Sequence, residues 1–238
     1  MKKFDYATAI NQLGINKKPV LNARFNPDDR KIPSWVQGQD MLRLFIPYLR
    51  IIGDSREQDR WIEGFCKIFG ISFVTAKKDS KTGTENLKEG DYTFKVIFDN
   101  KEYDFTGIVS YERKGSISEF YNNCQAKRKV IKREFERFGV KHYNKVVLML
   151  QFGEKLTDLI DAKFYFYDRF GNRQVKECHY LLYSTIMSWK QPNNNDFDII
   201  QSPSRETLFW LMIQDMFYYF RNEIRLECLE RNLIEEVD

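Results

Sequence analysis

The sequence has no long apolar run and no leader-like start. Its longest uninterrupted apolar stretches, Leu208–Ile213 and Val146–Leu150, fall far short of the ~20 residues that a membrane-spanning helix needs. The segment after Met1 lacks the apolar core of a secretory signal. We therefore expect no membrane association and a location inside the cell, in the cytoplasm of a bacterial or phage-infected cell or in a eukaryotic nucleus.

Signatures of zinc and nucleotide binding are also missing. The four cysteines form no C-x-x-C pair, and only two histidines could complete a zinc site. Free, buried thiols are therefore expected in place of zinc or disulfides. No Walker loop and no G-x-G-x-x-G motif occurs, which disfavours nucleotide-driven chemistry.

Aromatic residues are plentiful, at 16% of 238 residues, within a hydrophobic fraction of 42%. This composition excludes a disordered chain and indicates a packed core. Such a length suits one large domain with a small extension. We divide the chain into an irregular basic arm over 1–46, a main domain over 47–232 and an acidic tail over 233–238.

The net charge of +4 conceals two basic regions. Residues 1–37 carry seven basic and three acidic groups, residues 112–141 nine and four, and residues 222–238 two and six. Clustered basic residues are typical of a surface that binds a phosphate backbone, although a solvated helix face remains the alternative. The second region includes Lys127, Arg128, Lys129, Lys132 and Arg133.

Periodicity predicts alternating strands and helices, hence an α/β fold with a mixed central sheet. The expected strands are Leu49–Ile52, Ile71–Thr75, Tyr92–Phe98, Gly107–Tyr111, Val146–Leu150 and Phe197–Gln201. The expected helices cover Tyr6–Leu13, Gln58–Phe69, Ser116–Phe138, Glu154–Asp161, Val175–Trp189 and Pro203–Asn232, with Pro203 at the first helical position. Apolar residues of the last helix could serve a core or a dimer seam, and we favour the core.

Polar clusters follow three of these strands, at Gly53–Glu57, Gly90–Tyr92 and Tyr111–Lys114. In an extended strand side chains alternate, so Glu112 and Lys114 share one face. Asp91 and Glu112 could hold Mg²⁺, which accepts one or two carboxylates and keeps several waters, while Lys114 orients a water or stabilises developing negative charge. Such an ion would activate water and stabilise charge on a phosphodiester. Taken singly, each cluster could be a turn or a surface ion pair.

The segments G-D-S-R-E, E-G-D-Y and Y-E-R-K, in this order, resemble the XPF/Mus-type structure-specific endonuclease family of the PD-(D/E)-x-K class. The resemblance covers about Leu49 to Leu229 and implies a restriction-endonuclease-like nuclease core with an N-terminal extension. It also implies Mg²⁺- or Mn²⁺-dependent cleavage of DNA, on branched or single-stranded substrates in replication, recombination or repair. The alternative is a catalytically silent DNA-binding or scaffolding subunit.

By this resemblance the catalytic residues are Asp91, Glu112, Lys114, Asp54 and Glu57, with Asp91, Glu112 and Asp54 as metal ligands. Arg56 and Arg113 match the family's arginines, as salt-bridge partners or phosphate contacts. The resemblance also allows a homodimer or heterodimer formed through the nuclease domain. Glu119 lies near the family's last acidic position but also completes a capping box with Ser116, so we assign it to the cap. We expect no counterpart of the family's usual helix-hairpin-helix module after Leu229, so that DNA binding would depend on the basic arm and on Lys127–Arg133.

Overall fold

The computed structural model describes residues 4–18, 33–37, 39–57, 59–76, 87, 90–125, 143–189 and 196–234. The chain divides into two compact units. The first comprises Met1–Ala76, Phe94–Phe105 and Phe209–Asp238, and the second comprises Lys77–Thr93 and Thr106–Leu208. The predicted basic face at Lys127–Arg133 lies outside the described residues, as do residues 1–3, 19–32 and 38 of the arm.

The fold is mixed α/β, with a central mixed sheet flanked by helices, as the sequence predicts. The helices are α1 (Tyr6–Gln12), α2 (Ser34–Gln37), α3 (Asp40–Phe45), α4 (Trp61–Phe69), α5 (Ile117–Gln125), α6 (Leu181–Trp189) and α7 (Arg205–Glu230). The strands are β1 (Leu49–Asp54), β2 (Ser72–Ala76), β3 (Tyr92–Ile97), β4 (Glu102–Asp104), β5 (Val109–Lys114), β6 (Lys145–Leu150), β7 (Lys163–Tyr167), β8 (Arg173–Glu177) and β9 (Asp196–Gln201). Two short 3₁₀ helices cover Ile46–Tyr48 and Leu156–Leu159.

In the first unit, β1 runs parallel to β2, and β3 pairs antiparallel with β4. Helix α4 ends at Gly70, whose φ of 69° supplies the left-handed conformation that closes a helix, as predicted. The helix begins at Trp61, however, three residues after the expected start at Gln58. Upstream, Ser55 and Arg56 form a turn, in which the Glu57 backbone amide donates to the Asp54 carbonyl at 3.3 Å.

The core of the first unit is built from aromatic rings. Phe220 is fully buried and contacts the rings of Tyr6, Phe45, Phe98 and Tyr103. Burial of each such side chain contributes roughly 1.5–3 kcal/mol. Several apolar residues of α7 are buried in the same way, in agreement with the core interpretation of this helix: Phe209, Met212, Met216 and Phe217.

The start of α7 differs from the prediction. The helix begins at Arg205, and the hydroxyl of Ser204 accepts the Thr207 amide at 3.2 Å. Ser204 is therefore the capping residue, and Pro203 precedes the helix instead of occupying its first position. A serine that can satisfy an unpaired helix N–H is a stronger start signal than the proline.

In the second unit, β5, β6 and β9 lie side by side and parallel, so that Val147 pairs with Tyr111 on one side and Asp198 on the other. Every residue of β6 is buried, as its continuous apolar run predicts. Phe120, Leu148, Leu182 and Ile186 belong to a core cluster that joins this sheet to α5 and α6. The structure describes α5 only as far as Gln125, so the rest of the predicted helix to Phe138 lies outside the described residues.

Two predicted helices of the second unit are wrong in part. Residues 175–177, the beginning of the predicted helix Val175–Trp189, belong to strand β8, which pairs with the unpredicted strand β7. Positive φ angles at His179 and Tyr180 interrupt the chain before α6 begins at Leu181. The predicted helix Glu154–Asp161 is the 3₁₀ turn Leu156–Leu159, in which Asp158 accepts the amides of Glu154 and Lys155.

Candidate functional site

Strand β5 carries two oppositely charged side chains into a buried position. Alternation along the strand places Glu112 and Lys114 on one face, and the ammonium Nζ of Lys114 donates a hydrogen bond to Oε1 of Glu112. Their side chains are only 6% and 7% exposed. Charged residues are rarely buried to this degree, and desolvation can cost several kcal/mol per ion. Stability alone therefore does not explain this pair.

Asp91 lies beside the same pair. Its carboxylate oxygen Oδ2 accepts the backbone amide of Arg113 at 2.7 Å, and its own amide donates to the Tyr111 carbonyl at 2.8 Å. The first bond brings the Asp91 carboxylate to the peptide that joins Glu112 to Arg113. The structure thus brings together three of the predicted catalytic residues at the end of β5: Asp91, Glu112 and Lys114.

Gly90 makes this arrangement possible. Its φ is +75°, and a Cβ added there would lie 1.9 Å from the hydroxyl oxygen of Ser110 on β5. Only glycine combines a positive φ with so close an approach. The Gly-Asp pair is therefore a turn, but a turn that aims the Asp91 carboxylate at β5.

Arg113 points to the opposite face of β5, as alternation predicts. It is 9% exposed, and its Nη1 donates to Oε1 of Gln151 at 3.1 Å. The backbone amide of Gln151 in turn donates to the Lys114 carbonyl at 3.0 Å. Arg113 is therefore a structural partner of the strand end, and its contact with phosphate stays a prediction. Sequence reasoning missed Gln151, whose signal is its place directly after the apolar run of β6.

The remaining predicted acids lie in the first unit, at the end of β1. The Asp54 carboxylate accepts three bonds from Arg56: Oδ1 accepts the backbone amide at 2.7 Å and Nε at 2.8 Å, and Oδ2 accepts Nη2 at 2.9 Å. The side chain of Asp54 is 2% exposed, whereas that of Arg56 is 67% exposed. Arg56 thus acts as a salt-bridge partner. Glu57 accepts the Asp59 amide at 3.0 Å. Metal ligation by Asp54 and catalysis by Glu57 stay predictions.

Glu119 behaves as the capping residue that the sequence indicates. Its amide donates to the Ser116 hydroxyl at 3.1 Å, and its carboxylate accepts the Gly115 amide at 2.8 Å. In the usual capping box this carboxylate would accept the amide of the capping residue Ser116, whereas here it accepts the amide of the residue before it. These two bonds fix the start of α5 at Ile117, shortly after the end of β5 at Lys114.

The donor set suits a hard divalent cation with few protein ligands. No group of three His, Cys, Asp or Glu side chains within the described ranges is arranged to hold a metal ion. Two acidic side chains, Asp91 and Glu112, nevertheless lie at one strand end, and Mg²⁺ is commonly bound by one or two carboxylates with its other positions on water and substrate oxygens. The residues present therefore fit Mg²⁺ or Mn²⁺ and do not form a closed, all-protein cage.

Two other expectations concern the cysteines and membrane-spanning helices. All four cysteines are free and buried, as predicted, and burial raises the pKa of the Cys66 thiol well above its ordinary value. Among the helices that the structure describes, none has the length and apolar character to span a bilayer.

No protein-family model matches the chain, and no curated protein matches it. Among solved structures, XPF from Aeropyrum pernix is similar with a TM-score of 0.44 and 15% sequence identity, over 76% of this chain and 69% of that chain. The chemistry of the site therefore rests on its own residues.

Proposed function

We propose that this protein is a divalent-metal-dependent DNA endonuclease that hydrolyses phosphodiester bonds, on branched or single-stranded DNA in replication, recombination or repair. The observation that carries the proposal is the buried Glu112–Lys114 pair with the Asp91 carboxylate at the same strand end. Buried titratable groups with specific charged partners are concentrated at functional sites. The order of motifs along the chain, which resembles that of a nuclease family, supports the same class of reaction.

Asp91 and Glu112 would hold the metal ion in this proposal. Bound there, Mg²⁺ or Mn²⁺ would supply Lewis acidity toward the phosphodiester and a more acidic water. Asp91 is held by the Arg113 amide and Glu112 by Lys114, so both carboxylates are oriented before substrate arrives. Preorganised ligands of this kind reduce the cost of reorganisation during the reaction.

Lys114 would place positive charge where negative charge develops on the phosphate. Three hydrogen bonds hold it in place. Its ammonium donates to Glu112, its backbone carbonyl accepts the Gln151 backbone amide, and the adjacent Gly115 amide donates to the Glu119 carboxylate. A cation held in a water-poor environment stabilises developing charge far more than one in bulk water. Asp54, Glu57 and Arg56 are proposed as supporting residues on the resemblance alone.

The test is a cleavage assay with labelled single-stranded, duplex, flap and fork DNA, using wild type and Glu112→Gln with Mg²⁺, with Mn²⁺ and with chelator. Wild type should cut at least one substrate only when metal is present, and Glu112→Gln should be slower by about 10²-fold or more. Equal products from both proteins, or cleavage in chelator, would refute the proposal. Binding of DNA without cleavage under either metal would instead identify a DNA-binding subunit.

A further inference from the structure

The hairpin of β7 and β8, residues 163–177, forms a two-stranded sheet of its own in the second unit. Its turn is held by Asp168, whose carboxylate accepts the amides of Phe170 and Asn172 at 2.8 and 2.9 Å. Gly171, with a φ of +82°, completes the turn. The hairpin is thus an ordered ribbon with a tip stabilised by its own side chains.

The two faces of this ribbon differ in chemistry. Phe164 and Lys176 are paired across the strands, and both contact the ring of Tyr121 on α5, at 5.4 and 5.7 Å, so this face packs on the unit. Because directly paired residues share a face, Tyr165 with Val175 and Tyr167 with Arg173 lie on the other face. We call this second face, together with Phe170 at the tip, the aromatic face.

The aromatic face exposes large rings to solvent. Tyr165 is 57% exposed, Tyr167 73% and Phe170 74%. The guanidinium of Arg173 lies 3.9 Å from the ring centre of Tyr165, and that of Arg169 lies 4.7 Å from the ring centre of Phe170. Adjacent exposed aromatic residues of this kind are typical of a binding surface, whereas a single exposed ring needs no explanation.

The charge of the hairpin is positive toward solvent. Residues 163–177 contain four basic groups and two acidic groups. Of the acids, Asp168 is directed into the turn and Glu177 lies 3.5 Å from His179 at the base of the ribbon. Arg169 and Arg173 therefore present cationic groups beside the exposed rings, which suits an anionic partner.

We propose that the aromatic face binds single-stranded DNA, with its bases stacked on Tyr165, Tyr167 and Phe170 and its phosphates beside Arg169 and Arg173. Aromatic side chains interleaved with basic ones are the arrangement that binds single strands, because every base offers a flat face and every nucleotide a negative charge. A duplex already stacks its bases on each other and cannot use these rings. The inference rests on the proposed DNA substrate but not on cleavage.

The experiment measures fluorescence anisotropy of labelled oligothymidine and of a blunt duplex, in the Glu112→Gln protein so that the probe stays intact. The Tyr165→Ala/Tyr167→Ala variant should bind oligothymidine more weakly by about 5- to 100-fold for each ring removed, since stacking on an aromatic ring contributes at this level per base. Its duplex affinity should not change. Tyr165→Phe/Tyr167→Phe should retain binding, because phenylalanine also stacks. Tyr218→Ala, which removes a 49% exposed ring in the first unit, is the matched control and should bind as the parent does.

Three outcomes would overturn the inference. The first is unchanged oligothymidine affinity in the double alanine variant, and the second is an equal loss in the double phenylalanine variant, which would indicate hydroxyl contacts instead of stacking. The third is a dimer of the parent protein, detected by sedimentation, that is absent in the double alanine variant while DNA binding is retained. The aromatic face would then join two copies of the chain. If wild type cleaves DNA and the hairpin variants bind oligothymidine normally, only the proposed role of the aromatic face is refuted. Hairpin-dependent binding without any cleavage refutes only the nuclease.

Discussion

At the scale of single residues, Gly90 decides where the Asp91 carboxylate lies. Its backbone conformation is one that residues with a side chain rarely adopt, and a methyl group there would clash with the Ser110 hydroxyl unless that side chain shifted. Gly107 has a similar φ of +79°, but a Cβ there would meet no atom within 4 Å. Comparing alanine substitutions at the two glycines therefore separates the free-energy cost of backbone strain from that of a steric clash.

We predict that Gly90→Ala lowers the free energy of unfolding by at least ~1 kcal/mol more than Gly107→Ala does. Both variants carry the roughly 1–2 kcal/mol cost of a left-handed alanine, and only Gly90→Ala adds the clash. Urea unfolding monitored by tryptophan fluorescence measures both. Adding Ser110→Ala to Gly90→Ala should restore part of the loss. Equal losses at the two glycines would show that the turn does not approach β5 as described.

At the scale of elements, apolar runs predicted strands at β5 and β6, although β5 covers Val109–Lys114 and not the predicted Gly107–Tyr111. Alternation in an extended chain was sufficient to predict the shared face of Glu112 and Lys114. Sequence could not reveal that Gln151 contacts Arg113, because that contact joins residues 38 positions apart, one on β5 and the other directly after β6. The β7–β8 hairpin was missed for a related reason. Arg, Gln, Lys and Glu in β8 favour a helix locally, and cross-strand pairing with the aromatic strand β7 overrides that preference. The run Asp168–Asn172 was the available turn signal.

We predict that Asp168→Ala disorders the hairpin tip. Bonds from the Asn172 amide and from neighbouring groups hold the pKa of the Asp168 carboxyl below its ordinary value of 3.8. A carboxyl with a lowered pKa stabilises the fold above that ordinary value, and its contribution is lost as pH falls through the lowered pKa. Hydrogen exchange at the amides of Phe170 and Asn172 should therefore accelerate in the variant at neutral pH.

The matched control for that prediction is Asp158→Ala. Asp158 is also an exposed aspartate with a lowered pKa, caused by bonds from the Lys155 and Glu154 amides in a different loop. Its replacement should leave exchange at the hairpin tip unchanged. If both variants, or neither, accelerate exchange at Phe170 and Asn172, Asp168 does not hold the turn.

At the scale of the whole molecule, the net charge of +4 is the sum of regions with opposite sign. We predict that reversing the charges at Lys127, Arg128, Lys129 and Lys132 weakens DNA binding without abolishing Mg²⁺ binding. For a duplex, every phosphate that is no longer neutralised by a basic side chain should reduce the slope of log affinity against log salt by about 0.9. Anisotropy titrations over a range of salt measure the slope, and calorimetry with Mg²⁺ measures the metal site. Unchanged affinity at low salt would contradict a DNA-binding role for this segment.

The central claim is that Asp91, Glu112 and Lys114 perform metal-dependent cleavage, whereas the nearby Glu119 only caps α5. Its most direct test is the single-turnover cleavage rate, with Mg²⁺, of wild type, Asp91→Asn, Glu112→Gln, Lys114→Gln and the matched control Glu119→Gln on the substrate that wild type cuts best. Each of the first three variants should be slower by about 10²-fold or more, and Glu119→Gln should cleave at a rate close to that of wild type. Cleavage that survives the first three changes, or that is lost equally in Glu119→Gln, would contradict the assignment.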